Sequence, residues 1–197
     1  MNIFILSDNR FPATHYAENA RYHIDKHVVK MILESTQMLC TALAFAPYAN
    51  IISPNLCTSA PCRPLAPGMR KHPCTAWTMA NITNFNYLTR LAIALCNEHQ
   101  YRYFMSAEHE YTDWLKYLGQ DLDDLDITIA HSLPDNFATA VKNPELRSAL
   151  RPWADAVNIY RRYYYQDKLP FAKWTSRPIP HWFGPWLEVD TDTVKTS

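Results

Sequence analysis

Three glycines in 197 residues are too few for the glycine-rich loops that cradle phosphates, and no G-x-S-x-G, Walker or dinucleotide fingerprint is present. Charge of one sign is missing as well: 19 basic and 19 acidic residues cancel, and the pI is near 7.1. That balance argues against a protein whose main task is gripping long duplex nucleic acid. The five cysteines are odd in number and show no C-x-x-C spacing, so neither a zinc ribbon nor a disulfide framework is expected. No apolar run reaches the roughly 20 residues of a membrane span. The opening MNIFIL is broken too soon by Asp8, Asn9 and Arg10 for a secretory signal. These absences leave a cytoplasmic protein with reduced thiols, no membrane segment, no cofactor and no metal as the expectation.

What is present is organised by helical periodicity. Over residues 22–43, YHIDKHVVKMILESTQMLCTAL, the polar residues His23, His27, Lys30, Glu34, Gln37 and Thr41 fall inside an arc of about 80° at 100° per residue. The remainder is mostly apolar, the inverse of an ordinary surface helix. Such a helix is expected to be wrapped by other elements, with its polar stripe facing a cleft. Two imidazoles, an ammonium, a carboxylate and an amide suit a polar ligand or acid–base work. The H-x-D-x-H spacing of His23, Asp25 and His27 would gather three ligands only on an extended segment, so no metal is expected on a helix.

The rest of the chain reads as helix and loop. NIFIL is a short strand candidate and residues 13–21 a short helix; Asp25 is a candidate N-cap of the striped helix if its regular part begins there rather than at His23. Residues 49–71 form a long Pro-rich loop, in which Pro54, Pro61, Pro64 and Pro67 oppose regular helix; it is expected to act as a lid or an oligomer contact. His72-Pro73 opens a second long helix running to about Cys96, with Pro73 at its first position. Ser106 is a candidate cap for a helix over 107–118 ended by Gly119, and Asp-rich 121–126 reads as a solvated turn. Asn143-Pro144 marks another helix start, 154–166 a last long helix, RPIPHWFGPW an aromatic coil, and 188–197 a frayed tail. The expected fold is mainly α: one compact helical domain over 1–183 with one short N-terminal strand or small sheet, then a flexible tail over 184–197.

Three further groups bear on binding. Arg70, Lys71 and His72 stand at a helix start, where free N–H groups favour phosphate. Trp77 lies one turn on as a stacking surface, with Asn81 placed to read a ring nitrogen. Between Arg147 and Arg177 there are seven basic residues interleaved with aromatic rings, among them Arg161, Lys173 and Trp174. Stacking on such rings tolerates sequence variation. Tyr160 and Tyr163 repeat at helical spacing and are expected to be structural. Because interfaces are rich in these residues, a symmetric homo-oligomer is expected, with Arg161, Lys173 or Trp174 of a second chain completing each pocket.

The strings HIDKHVVKMILESTQML, HPCTAW and FAKWTSRPIPHWF resemble a widespread phage protein family, over most of residues 1–183. Some relatives are labelled pyrimidine-dimer DNA glycosylases, after the small helical endonuclease V of T-even phages. That enzyme works through its N-terminal amine and a helix glutamate, and the resemblance implies Glu34 as the counterpart. Phage families of this size and neutral charge also resemble counter-defence proteins, including sponges for nucleotide immune signals. The first expectation is therefore a protein of the infected host's cytoplasm that binds a small nucleotide, a cyclic signal among the candidates. Its pocket residues would be His23, His27, Lys30, Glu34, Gln37, Arg70, Lys71, His72, Trp77, Asn81, Arg161, Lys173 and Trp174. The alternative is a DNA base-processing enzyme with Glu34 as acid/base and duplex DNA as partner.

Overall fold

The computed structural model describes residues 1–104, 109–125, 128, 131–147 and 149–184. Its secondary structure is mainly helical, with one two-stranded sheet among the described residues. The two longest helices, α2 (Asp25–Phe45) and α6 (Ile82–Tyr103), pack on each other. Around them lie α1 (Pro12–Tyr22), α5 (Pro73–Ala80) and α7 (Thr112–Leu125). The short helices α3 (Pro54–Thr58) and α4 (Pro67–Arg70) precede α5, and α8 (Trp153–Tyr163) continues into a π-helical turn, Tyr164–Lys168. β1 (Asn136–Phe137) pairs antiparallel with β2 (Arg151–Pro152), with Asn136 opposite Pro152.

The composition of α2 follows from its burial. Val28, Met31, Ile32, Met38, Leu39 and Leu43 are enclosed, each such side chain contributing roughly 1.5–3 kcal/mol. At 21 residues, with a window of mean hydropathy 1.3, α2 is long and apolar enough to cross a membrane, which the run-length reading missed. Its window is 61% buried inside this fold, which accounts for the apolar content. The burial is uneven: Val29 and Leu33 are exposed beside Lys26 and Lys30, whereas Ser35 and Thr36 are enclosed. The apolar circumference is thus split, and His27, Lys30 and Glu34 border its open face.

Several sequence expectations are corrected. NIFIL is buried from Ile3 to Leu6 but is not a strand. Side chains take part of its backbone: Asn19 Oδ1 accepts from the N–H of Leu6 and Ser7, Asn19 Nδ2 donates to the Phe4 carbonyl, and Arg161 Nε donates to the Leu6 carbonyl. The helix expected over 22–43 begins only at Asp25, because His23 turns out of α1 in extended backbone and its Nδ1–H caps the Asn19 carbonyl. The helix expected from Pro73 to Cys96 is two, parted at Asn81, whose extended backbone and side-chain bond to the Asn84 N–H start α6.

The Pro-rich segment 49–71 contains α3 and α4, each with proline in its first turn, where the missing N–H costs nothing. Gly119 does not end a helix but lies inside α7, where an added Cβ would approach Ile93 Cδ1 to 3.0 Å and Arg90 donates to its carbonyl. Asp121, Asp123 and Asp124 are helical within α7, whose Leu115, Leu118 and Leu122 face inward. Asn143-Pro144 opens a turn, not a helix, and the last long helix is regular only to Tyr163. Ser106, Ala107 and the 188–197 tail lie outside the described residues.

Candidate functional site

One cleft of about 510 Å³ gathers chemistry from four parts of the chain. The N-terminal segment supplies Met1, Asn2 and Phe4; α2 supplies His27, Lys30, Met31 and Glu34; His72 leads into α5; residues 140–143 follow β1; and Tyr163, Asp167 and Lys168 come from the end of α8 and its π turn. Asn2 joins two of these walls, its Oδ1 accepting from the Ala140 N–H at 3.0 Å.

The charge is cationic. The Met1 ammonium, Lys30, Lys142 and Lys168 face only Glu34 and Asp167. Lys30 Nζ is 3.2 Å from Glu34 Oε1, an i,i+4 pair, and the Met1 amine is 4.0 Å from Glu34 Oε2. Glu34 Oε2 is buried and accepts no hydrogen bond from the protein.

The imidazoles add uncharged donors. His27 stacks on the buried Phe4 ring at 4.4 Å, and its Nδ1 lies 2.6 Å from the Tyr164 hydroxyl. Burial, with the neighbouring His23, Lys168 and Lys30 adding to it, pulls the His27 pKa down to about 3. Burial also raises the Tyr164 pKa well above its ordinary value, so the phenol keeps its proton and donates it to Nδ1. Nε2 of the neutral ring then carries the hydrogen and is the group available to the cleft. His72 is arranged the same way: its Nδ1 accepts from the Cys74 N–H at 3.2 Å, leaving Nε2–H free, and burial lowers its pKa. The cleft is therefore lined by more cations and N–H donors than carboxylates, the latter being Glu34 and Asp167.

His27, Lys30, Glu34 and His72 are the sequence-proposed residues that the fold brings together here. The others go elsewhere. His23 is fully buried, with Nδ1 on the Asn19 carbonyl and a pKa drawn down to about 4 by burial. Asp25 is taken by Arg102 and Thr175, so the H-x-D-x-H residues do not converge, and among the described residues no three His, Cys, Asp or Glu form a metal-binding group. Gln37 is half-buried outside the cleft lining. Arg70 lies over the Phe45 ring at 3.6 Å and donates to the Leu65 carbonyl, and Lys71 is exposed. No residue of 49–71 lines the cleft, so the segment is not its lid in this conformation.

Trp77 and Asn81 border a second cleft of about 470 Å³, but the Trp77 ring is buried with its N–H on the Asn136 carbonyl, and Asn81 is spent as a cap. Arg161 is buried against Asp8 and the Leu6 carbonyl, and Trp174 is buried with its N–H on the Tyr22 carbonyl. Neither is free to enter a second chain's pocket. Lys173 is exposed, with its carbonyl accepting from the Asp25 N–H.

Residues missed from sequence are Asn2, Phe4, Lys142, Asn143, Tyr163, Asp167 and Lys168. Lys142 and Asn143 stand in irregular backbone with no periodic signal. Tyr163 follows Tyr160 at core spacing, yet it is half-buried at the cleft edge. Comparison of the chain with protein-family models, with curated proteins and with solved structures gives no match.

Proposed function

We propose that the cleft binds a small nucleotide through its phosphate, the cyclic nucleotides used as immune signals being the class to which the phage-family resemblance points. The observation that carries this reading is that Met1, Lys30, Lys142 and Lys168 line one concavity of about 510 Å³ together with His27 and His72, whose Nδ1 atoms are occupied inside the fold. That size lies within the roughly 300–1,000 Å³ range of small-molecule sites. Charge-assisted donors are the groups that hold phosphate oxygens most strongly. Sequestration follows if the ligand leaves unchanged. Lys30→Ala is expected to weaken binding of a cyclic-nucleotide panel about tenfold by calorimetry. Thermal stability should change little, since the Lys30 side chain is 63% exposed. Unaltered affinity would remove the cleft from the reading, and altered nucleotide recovered after denaturation would replace sequestration by catalysis.

A second reading, a DNA base-excision enzyme, is favoured by one contact, the Met1 amine beside Glu34. This is the pair of groups that the endonuclease resemblance implies. The neutral amine nitrogen would attack C1′ of a damaged nucleotide as the C1′–base bond breaks; the C1′–O4′ bond then opens, the two protons lost by nitrogen being taken up by the base and by O4′, and the imine formed would be reducible by borohydride. A covalent protein–DNA adduct with ultraviolet-irradiated duplex and borohydride, lost in Glu34→Gln, supports this reading. Absence of adduct with the unsubstituted protein sinks it.

A further inference from the structure

We infer that Tyr163 is the stacking platform for a flat ring on the ligand, and that Lys168 exchanges the Tyr163 face for the ligand's anionic group when that ring arrives. This rests on the nucleotide-binding reading of the same cleft and adds which side chain meets the base and which cation gives way to it.

The platform is built from the inside outwards. Phe4 is 3% exposed and is held by the edges of Tyr160 and Tyr164, at 5.2 and 5.3 Å with interplanar angles of 72° and 75°. His27 lies nearly parallel to it at 9°, and Tyr163 at 14° with ring centres 6.1 Å apart. Tyr160 and Tyr164 are themselves buried, and the Tyr160 hydroxyl donates to the Ala138 carbonyl. Three near-parallel rings thus form a slab whose orientation is fixed by the core, with half-buried Tyr163 at its cleft end. A ring fixed in advance loses little freedom when another ring stacks on it.

Lys168 covers that end. Its ammonium lies 4.5 Å from the Tyr163 ring centre and 5.6 Å from that of Phe171. On an α-helix residues i and i+5 are about 140° apart and could not meet in this way. The i→i+5 bonding of the Tyr164–Lys168 π turn brings position 168 back over 163, and such turns recur at functional sites. The ammonium gains only a modest cation–π attraction there. A phosphate offers it a full charge, and Lys142 of the same cleft offers a second cation to the same group. Lys26, whose ammonium lies 4.3 Å from the Phe171 ring centre, stays over that ring when Lys168 moves.

The two residues are therefore separable by ligand, and the effect of Lys168 changes sign between ligands with and without phosphate. The test is calorimetry with AMP, GMP, CMP and UMP, with ribose 5-phosphate as the base-free probe and adenosine as the phosphate-free one. In the unsubstituted protein at least one mononucleotide should bind about tenfold more tightly than ribose 5-phosphate. Tyr163→Leu should bring that nucleotide down to the ribose 5-phosphate level without altering ribose 5-phosphate itself, and Tyr163→Phe should restore it. Lys168→Ala should weaken the mononucleotide yet strengthen adenosine, because the cation no longer covers the ring. If ribose 5-phosphate binds as well as every mononucleotide and Tyr163→Leu changes none of them, the platform is overturned while phosphate binding stands. If neither the mononucleotides nor ribose 5-phosphate binds, the phosphate-binding reading falls, and the platform with it.

Discussion

Replacing Arg102 with alanine is expected to be the most damaging single change in this protein, costing about 3–5 kcal/mol. The Arg102 side chain is fully enclosed and donates in three directions: Nε to Glu98 Oε1 at 2.7 Å, one terminal nitrogen to Asp25 Oδ1 at 2.9 Å, and the other to the Arg21 carbonyl at 2.9 Å. Glu98 is enclosed too and also accepts from Arg177 through both oxygens, at 2.9 and 2.8 Å. Asp25 in turn accepts from the Thr175 N–H and hydroxyl. One guanidinium thus ties the end of α1, the start of α2, the last turn of α6 and the coil after Ala172. Its removal leaves the enclosed Glu98 with one cation and takes the cation from Asp25.

A loss of this size lowers Tm by roughly 10 °C in a chain of about 200 residues. Arg102→Lys should recover only part of it, since an ammonium cannot reproduce the fork. The double substitution Glu98→Gln with Arg102→Met should be less damaging than Arg102→Ala, because no enclosed carboxylate is then left underpaired. Urea unfolding of the three variants checks this, and an Arg102→Ala protein within 1 kcal/mol of the parent would show the network to be dispensable.

The same cluster marks where sequence reasoning succeeds and where it stops. Helix periodicity locates α1 and α2 because their burial follows local spacing, and it places Lys30 and Glu34 on one face with His27. It leaves the break at His23 and Ile24 undecided, with a start near Asp25 only one of two readings, because neither glycine nor proline intervenes. That break depends on Asn19 accepting from His23 and on the Asp25 N–H meeting the Lys173 carbonyl, a partner far along the chain. NIFIL has strand-like composition, but the partners of its Phe4 and Leu6 backbone groups are side chains of Asn19 and Arg161, which composition cannot name. Asp121, Asp123 and Asp124 illustrate the reverse: exposure of Asp123 and Asp124 is legible, but Asp121 accepts from the Ser53 N–H and hydroxyl, and the inward leucines that make the segment helical outweigh the turn signal.

In the cleft, the α2 residues and His72 were legible because helical spacing and a helix start place them. The opposite wall was not: Lys142 and Asn143 reach it through irregular backbone, and Lys168 through a π turn with no sequence signature. Aromatic residues misled for a related reason. Trp77 and Trp174 have the chemistry of stacking surfaces, yet their N–H groups are bonded inside the fold, whereas Tyr163 sits at the rim.

Stability should fall steeply as the pH is lowered from neutrality, through the enclosed His15 and His23 and the half-buried His27, all neutral in the fold. Burial draws His15 and His23 down to about 4 and His27 to about 3. Each has a built tautomer: His15 donates Nδ1–H to the Asn9 carbonyl and accepts from the Tyr87 hydroxyl, His23 donates to the Asn19 carbonyl, and His27 accepts from Tyr164. In the unfolded chain all three titrate near the ordinary value of about 6.5. Above that pH both states are neutral and the full stability is present. Below it the unfolded chain takes up protons that the folded one refuses, so stability falls until the folded pKa values are reached near 3–4. Each group can withdraw on the order of 2–3 kcal/mol over that interval, enough together to exhaust a typical domain's margin. Asp8 and Glu18 add to the loss at its acidic end, since both carboxylates are held below their ordinary values. Burial works against that lowering; the Arg161 guanidinium overcomes it at Asp8, and the Ser7 and Tyr22 hydroxyls at Glu18. Guanidinium unfolding at pH 7.5, 6, 5 and 4.5 should therefore show a falling midpoint, with most of the early loss preceding carboxylate titration. His23→Gln should be less stable than the parent at pH 7.5 but lose less on acidification, because one proton-accepting group has gone from the unfolded chain. A midpoint unchanged between pH 7.5 and 4.5, or an identical slope in His23→Gln, would mean that these rings are not held neutral, and the assignment of His27 Nε2–H as a donor to the cleft would go with them.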